Sequence, residues 1–285
     1  MKLLLPQILG RVGRRRQEFR ARLPEGMVLY AIGDVHGRAD LLDRALHAIF
    51  ADIRETPPPD GRAQLVFLGD YIDRGPHSCQ VIETLMEMQR LYGAWLKITF
   101  LTGNHEIAML SFLRNPIEHR SWLRHGGVET LRSYGIHPSP QELTDRLPAI
   151  AAALQEAMGN QSEFLRTSLK TSFRCGDFFF SHAGYNPRRS LDEQTIEDLT
   201  FGSRSFLLKG NPDLRVRAVH GHYVEPDPVV LPHRIGVDTG AYLHSALTTV
   251  RIEDDDLSFF AARAGLPRTL AAPSQSSRDG RLSAA

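Results

Sequence analysis

Three short apolar runs, each closed by a glycine and a polar cluster, constrain this chain more than any other feature. They are MVLYAI (27–32), LVFL (65–68) and LKITFL (96–101), and they lead into Gly33-Asp34, Gly69-Asp70 and Gly103-Asn104. Continuous apolar runs rich in β-formers fit strands buried on both faces. The segments between them, 39–53 and 80–92, have helical spacing, so the chain opens β-α-β-α-β. In sheets built this way, ligands collect at the carboxyl ends of the strands.

From Ala108 to about Ser172 the pattern is helical and carries no strand signal, and it reads as a helical insertion able to shape a pocket. Strand-like runs return at 178–181, 216–219, 235–238, 246–252 and 257–261, a spacing that suggests a second, more antiparallel sheet. The chain is therefore divided into a basic N-terminal extension (1–26), one domain (27–264, with 108–172 as its insertion) and a tail (265–285). The tail is rich in Ser, Ala, Pro and Arg, a composition that reads as disordered.

With 285 residues, 42% hydrophobic, 24% charged and a net charge of +1, the composition is that of an ordinary soluble chain. It provides no global field to select nucleic acid or a membrane. No segment approaches the roughly 18 apolar residues of a membrane span. The start of the chain lacks the apolar run and small-residue cleavage site of a signal peptide. Cys79 and Cys175 are too few for a disulfide framework and fit a reducing, cytoplasmic setting. The N-terminus is lopsided: Arg11, Arg14, Arg15, Arg16, Arg20 and Arg22 face a single acid, Glu18. Leu5, Ile8, Leu9 and Val12 share one helical face, so weak contact with a membrane surface or an acidic partner competes with the simpler reading of a solvated terminus.

The chemistry sits at the strand ends. Asp34 and His36 lie in GDVHG, Asp70 and Asp73 in GDYIDRG, Asn104 and His105 in GNHE, His182 in SHAG and His222 in VHGH. Carboxylate, amide and imidazole donors suit Mn, Fe, Zn or Ni better than Ca or the thiolate-seeking metals. Converging carboxylates and neutral imidazoles call for divalent cations to balance them. A carboxylate bridging two ions is the hydrolytic two-metal arrangement.

The motifs GDxHG, GDxxDRG and GNHE, followed by isolated histidines, resemble those of the calcineurin-like metallophosphoesterases. More narrowly they resemble the bacterial branch of the phosphoprotein phosphatase family. The likeness runs from Tyr30 to Arg251 and takes in WL-GG-ETL-SYG at Trp122–Gly135 and RIGVDTGA at Arg234–Ala241. It implies an α/β fold of two packed mixed β-sheets flanked by helices, with a helical insertion. One metal would be held by Asp34, His36 and Asp70, and a second by Asp70, Asn104, His182 and His222. Mn is the expected metal, with Fe, Zn, Ni and Mg as alternatives. His105 resembles a general acid oriented by Asp73, Arg74 a phosphate-gripping arginine, and a metal-bridging water the nucleophile that attacks phosphorus. Glu106 reads as holding the loop.

Two positions depart from the family pattern. His220 and His222 compete for the last ligand place, and Gly221-His222 fits the pattern better, although Tyr223 replaces the usual threonine. A second phosphate-binding arginine is expected near LTFGSRSFLL, where Arg204 is the candidate. Val224 occupies the place of a further metal histidine found in related phosphodiesterases, which favours the phosphatase branch. Asp238 could support a ligand histidine or a turn, and the remaining histidines, His125 included, read as surface or supporting residues. The leading expectation is hydrolysis of phosphoserine or phosphothreonine in proteins. The alternative is a dinucleoside polyphosphate, a nucleotide or an RNA 5′ end, and a non-catalytic scaffold ranks below both. The expected partners are a phosphorylated protein or a small phosphoester, with no specific nucleic acid binding.

Overall fold

A computed structural model describes residues 19–59 and 61–265. The first sheet contains β1 (Met27–Ile32), β2 (Arg62–Phe67), β3 (Lys97–Leu101) and β4 (Leu169–Lys170). The second contains β5 (Ser172–Cys175), β6 (Phe178–Ser181), β7 (Arg217–His220), β8 (Val229–Val230) and β9 (Arg234–Gly236). A final hairpin, β10 (Ala246–Glu253) and β11 (Asp256–Arg263), returns to the first sheet. The helices are α1 (Ala39–Glu55), α2 (Ser78–Tyr92), α3 (Asn104–Arg114), α4 (Gly127–Ser133), α5 (Glu142–Asp145), α6 (Leu147–Met158), α7 (Asn160–Thr167), α8 (Ile196–Thr200), α9 (Arg204–Lys209) and α10 (Ala241–His244).

The first sheet has the order β11-β10-β1-β2-β3-β4, and the second β5-β6-β7-β9-β8. β1, β2 and β3 run parallel, with Ile32 opposite Phe67 and Phe67 opposite Phe100. Their carboxyl ends therefore stop level with one another, and the three glycine-led loops emerge side by side. In the second sheet β6, β7 and β9 are also parallel, so His182 and His222 leave from equivalent ends.

Continuous apolar runs are explained by burial on both faces. Tyr30 and Ile32 of β1 face α1, where Leu41, Leu42 and Ile49 cover them. Leu29 and Ala31 point the other way, with Val66 of β2, into a layer shared with Phe180, Val219 and Ile235 of the facing sheet. Side-chain alternation makes one strand serve both cores. Fully burying such a side chain contributes about 1.5–3 kcal/mol, so the two cores fix how the sheets stack. A third cluster, around Phe206, Tyr185 and Leu199, seats α8 and α9 on the second sheet. The result is an α/β sandwich of two mixed sheets with flanking helices.

Two expectations need correction. The spacing of the later strands points to a second sheet that also takes the last two. Instead β10 pairs antiparallel with β1, with Ile32 opposite Thr249, and carries β11 with it. Alternation alone cannot tell which sheet edge a hairpin joins. Residues 169–175, read as the end of the helical segment or left without a strand signal, form β4 and the edge strand β5. A two-residue strand has no period to detect.

The sequence division placed residues 1–26 outside the domain. Of these, Ala21 and Leu23 are buried in the layer between the sheets. Leu23 donates its N–H to Asp254 in the β10–β11 turn, and Arg22 accepts from Asp177 in the β5–β6 turn. The amphipathic stretch Leu5–Val12 and the tail from Leu266 onward lie outside the described residues. No described helix is long and apolar enough to cross a membrane.

Candidate active site

Asp70 stands at the centre. Its Oδ2 lies 3.3 Å from His182 Nε2, 3.6 Å from His36 Nε2 and 3.9 Å from His105 Nε2. Two triads of possible metal donors share it, His36-Asp70-His105 and Asp70-His182-His222, each with donor atoms within 4.8 Å of one another. Asn104 Oδ1 is 3.0 Å from His182 Nε2, which adds an amide oxygen to the second group. Asp34 lies alongside, its carboxylate accepting the His222 N–H at 3.0 and 3.2 Å. The first tight triad thus has His105 where the resemblance implied Asp34.

The backbone around these groups is unusual. His36, Asp70, Asp73, Arg74 and His222 all have positive φ, between 45° and 71°. Non-glycine residues seldom hold that conformation, and where they do it commonly marks a functional site. Gly69, at φ +102°, lets the chain pass so close to Gly103 that a Cβ would come within 2.6 Å of its nitrogen.

His36 and His182 are each oriented by their second nitrogen. His36 Nδ1 donates to Ile72 O at 2.8 Å and His182 Nδ1 to Leu68 O at 2.9 Å, so that both Nε2 atoms face the cluster. That is how ligating imidazoles are usually fixed. His222 presents Nδ1, 3.2 Å from His182 Nε2. His220 instead donates to Gly221 O and accepts from Arg234 Nη1 at 3.2 Å, so both its nitrogens are used away from the cluster.

The charge balance fits divalent cations. Asp34 and Asp70 are each 2% exposed, and neither pairs with a lysine or arginine among the described residues. Burial, helped by Asp238 and Asp70, pushes the Asp34 carboxyl well above its usual range. Burial also opposes the charged form of Asp70, yet His182, His105 and His36 outweigh it and hold that carboxyl well below. His182 is driven up to about 10: burial works against its charge, and Asp70 and Asp34 overcome that. Buried carboxylates that extract a proton from bulk water onto a histidine are a pocket demanding positive charge. The oxygen and imidazole donors suit Mn, Fe, Zn or Ni.

His105 and Asp73 form the second feature. His105 Nδ1 is 2.6 Å from Asp73 Oδ2, with both side chains buried. Trp122 Nε1 donates to the same oxygen at 2.8 Å, and Thr130 Oγ1 donates to Oδ1 at 2.6 Å. Burial raises the Asp73 carboxyl, with these bonds pulling the other way. Burial lowers His105, but Asp70 and Asp73 more than compensate and its pKa rises.

Neither Trp122 nor Thr130 was assigned a role from sequence. Their signal was the W-x₃-GG-x₂-T spacing, noted only as likeness. The structure explains it: Gly127 lies under the Trp122 ring, and Gly126, at φ +107°, meets the Arg74 backbone where a Cβ would sit 2.4 Å from its nitrogen. The whole stretch is a cradle for Asp73-Arg74.

Arg74 is half-buried, with Nη1 3.1 Å from His36 Nε2 and its guanidinium 4.6 Å from the centre of the Tyr242 ring. Glu106 accepts N–H bonds from Asp70, Tyr71 and Gly103 at 2.8–2.9 Å, the loop-holding part expected of it, and burial moves it up to about 7. Asp238 accepts from Gly240 N at 2.9 Å and braces a turn. His125 is exposed and bonds Ser121 O. Arg204 opens α9 at the surface, and no hydrogen bond or ion pair with a described residue ties it to the cluster.

A two-sheet sandwich with oxygen and imidazole donors at its strand ends defines a metal-dependent phosphoesterase. The calcineurin-like phosphoesterase family matches residues 27–256, and the chain belongs to it. It is 25% identical over 257 residues to an asymmetrical bis(5′-nucleosyl)-tetraphosphatase, PrpE, of Oceanobacillus iheyensis, covering 83% of this chain and 93% of that protein. It is 27% identical over 272 residues to a symmetrical bis(5′-nucleosyl)-tetraphosphatase of a Janthinobacterium species, covering 80% and 94%. The fold superposes on a cold-active protein-tyrosine phosphatase of a psychrophilic Shewanella with a TM-score of 0.53 at 16% identity, over 84% of this chain and 80% of that one.

Proposed function

We propose that the chain hydrolyses dinucleoside polyphosphates, breaking a phosphoanhydride P–O bond with water. What carries the substrate class is the extent of the likeness: the two bis(5′-nucleosyl)-tetraphosphatases are matched over 93% and 94% of their own lengths. This supports the alternative expectation over the leading one, a phosphoprotein.

Asp34, His36, Asp70, Asn104, His182 and His222 would hold two divalent cations, whose chemistry when bound is to neutralise phosphate oxygens and lower the pKa of the attacking water. Arg74, at the mouth of this cluster, offers two parallel N–H donors to non-bridging oxygens of the phosphoryl group. His105 keeps Nδ1–H on Asp73 and directs Nε2 into the site. The Nε2 proton passes to the leaving oxygen as the P–O bond breaks, so the departing nucleotide does not leave as a bare, more highly charged anion. Asp73 stabilises the imidazolium before transfer, and Trp122 and Thr130 keep Asp73 from turning away. The unpaired Cys79 and Cys175 support a cytoplasmic setting for this chemistry.

The test is a comparison of kcat/KM for diadenosine tetraphosphate and a phosphoserine peptide with Mn²⁺ present. The proposal expects the nucleotide to be preferred at least about tenfold, a difference of about 1.4 kcal/mol in transition-state stabilisation. Preference for the peptide returns the chain to the protein-phosphatase reading.

A further inference from the structure

We infer that Tyr242 is a positioning residue that holds the Arg74 guanidinium in place. This rests on the reading of Arg74 as the phosphate-binding fork. Tyr242 is half-buried on α10, and Arg74 lies over its ring face at 4.6 Å from the centroid. The same ring meets His36 edge-on, with centroids 5.2 Å apart and planes at 81°. Arg74 thus rests on an aromatic face, and the contact of its Nη1 with His36 Nε2, 3.1 Å away, would give way when that nitrogen holds a cation.

The turn carrying Tyr242 is itself tied down. Arg38, two residues beyond His36, donates through Nη1 to Ala241 O at 2.8 Å and to Ser245 Oγ at 3.1 Å. Asp40 clamps Arg38 with two bonds of 2.8 and 2.7 Å. At the other end, Gly240 N donates to Asp238 and Thr239 Oγ1 to Ala246 O, both at 2.9 Å. Gly240 and Ser245, with φ of 71° and 53°, bracket the short helix so that Tyr242 faces the GDVHG loop. Two loops that carry site residues are therefore joined through one aromatic ring.

An arginine side chain has many rotamers to lose when it must present a flat fork to an anion. A guanidinium resting on an aromatic face has already lost part of that freedom. The effect requires the ring and not the hydroxyl, which forms no hydrogen bond with a described residue. Tyr242 acts through Arg74, so its contribution belongs to binding more than to the chemical step.

The experiment measures inorganic phosphate affinity by calorimetry, Mn content, and KM and kcat on p-nitrophenyl phosphate. The proteins are the parent, Tyr242→Leu, Tyr242→Phe, Arg74→Ala and the Tyr242→Leu/Arg74→Ala double variant. Tyr242→Leu is expected to weaken phosphate binding and raise KM roughly 3- to 5-fold, with kcat and Mn content little changed. Tyr242→Phe restores what the leucine loses, and Tyr242→Leu adds no further loss when Arg74 is already alanine. The inference is overturned if Arg74→Ala weakens phosphate binding and Tyr242→Leu does not. It is also overturned if the leucine costs as much without Arg74 as with it. If Arg74→Ala leaves phosphate affinity unchanged, the fork reading itself fails and takes the inference with it.

Discussion

His105 Nδ1 and Asp73 Oδ2 are 2.6 Å apart in a pocket that leaves the histidine 3% exposed and the aspartate fully buried. A charged hydrogen bond so enclosed makes sense if the imidazole must carry a proton that it later gives up. His105→Asn is therefore expected to lower kcat on diadenosine tetraphosphate by about 10²–10⁴, the usual contribution of a general acid. Among aryl phosphates the loss is larger on phenyl phosphate, whose leaving group needs a proton, than on p-nitrophenyl phosphate, whose leaving group departs without one. Equal losses on both aryl phosphates would show that His105 does something else.

Asp73 depends on donors supplied by a distant stretch of chain. Trp122→Phe removes one and Thr130→Val another, in each case leaving a buried carboxylate short of a partner. Each substitution should cost about 1–3 kcal/mol of unfolding free energy in urea titrations. Stabilities equal to the parent would mean that the cradle is dispensable.

Cation binding should stabilise the fold, because Asp34 and Asp70 are buried without a lysine or arginine partner among the described residues. Mn²⁺ at a hundred times its dissociation constant adds about 2.7 kcal/mol for a single site. In thermal melts, chelator-treated protein should gain in Tm on adding Mn²⁺, and Asp70→Asn should lose most of that gain. An Asp70→Asn protein that gains as much as the parent contradicts a shared ligand.

Acid should weaken the fold partly through His220. Burial holds this histidine down at about 3, with Arg234 adding to the effect, whereas it titrates near 6.5 in an unfolded chain. Between those values the unfolded chain takes up a proton that the folded one refuses. The contribution to stability is therefore complete above about pH 6.5 and is lost as pH falls toward 3. This one group supplies a slope of at most about 1.4 kcal/mol per pH unit. Urea midpoints at pH 7, 6 and 5 should fall less steeply in His220→Gln than in the parent, and parallel slopes would rule His220 out.

Much of the site was legible in the sequence because each motif sits where a strand must end. Asp34, Asp70 and Asn104 could be placed on adjacent loops without coordinates, since a β-α-β-α-β opening makes parallel strands whose carboxyl ends lie together, and His182 and His222 followed as further strand ends. What the sequence hid were pairings set by distant contacts. Trp122 and Thr130 reach Asp73 across 49 and 57 residues, and nothing in their own neighbourhood announces that partner. Tyr242 lies one residue beyond RIGVDTGA, and its contact with Arg74 depends on how a tight turn folds back. The placement of the β10–β11 hairpin turned on which sheet edge was open, and the pattern of side chains is the same for either edge. Arg204 was reached by matching Phe201 and Phe206 to the family's aromatics, which leaves it one residue late, and it stands exposed at the capped start of α9, where Ser203 Oγ accepts from Phe206 N.

The most direct test of the account is to incubate the Mn²⁺-loaded protein with diadenosine tetraphosphate in ¹⁸O-labelled water and analyse the products by mass spectrometry. The account predicts two nucleotides, one of them carrying a single ¹⁸O on its new terminal phosphate, and no comparable products from Asp70→Asn. Intact diadenosine tetraphosphate under conditions where a phosphoserine peptide is turned over would contradict it, as would hydrolysis that survives in Asp70→Asn.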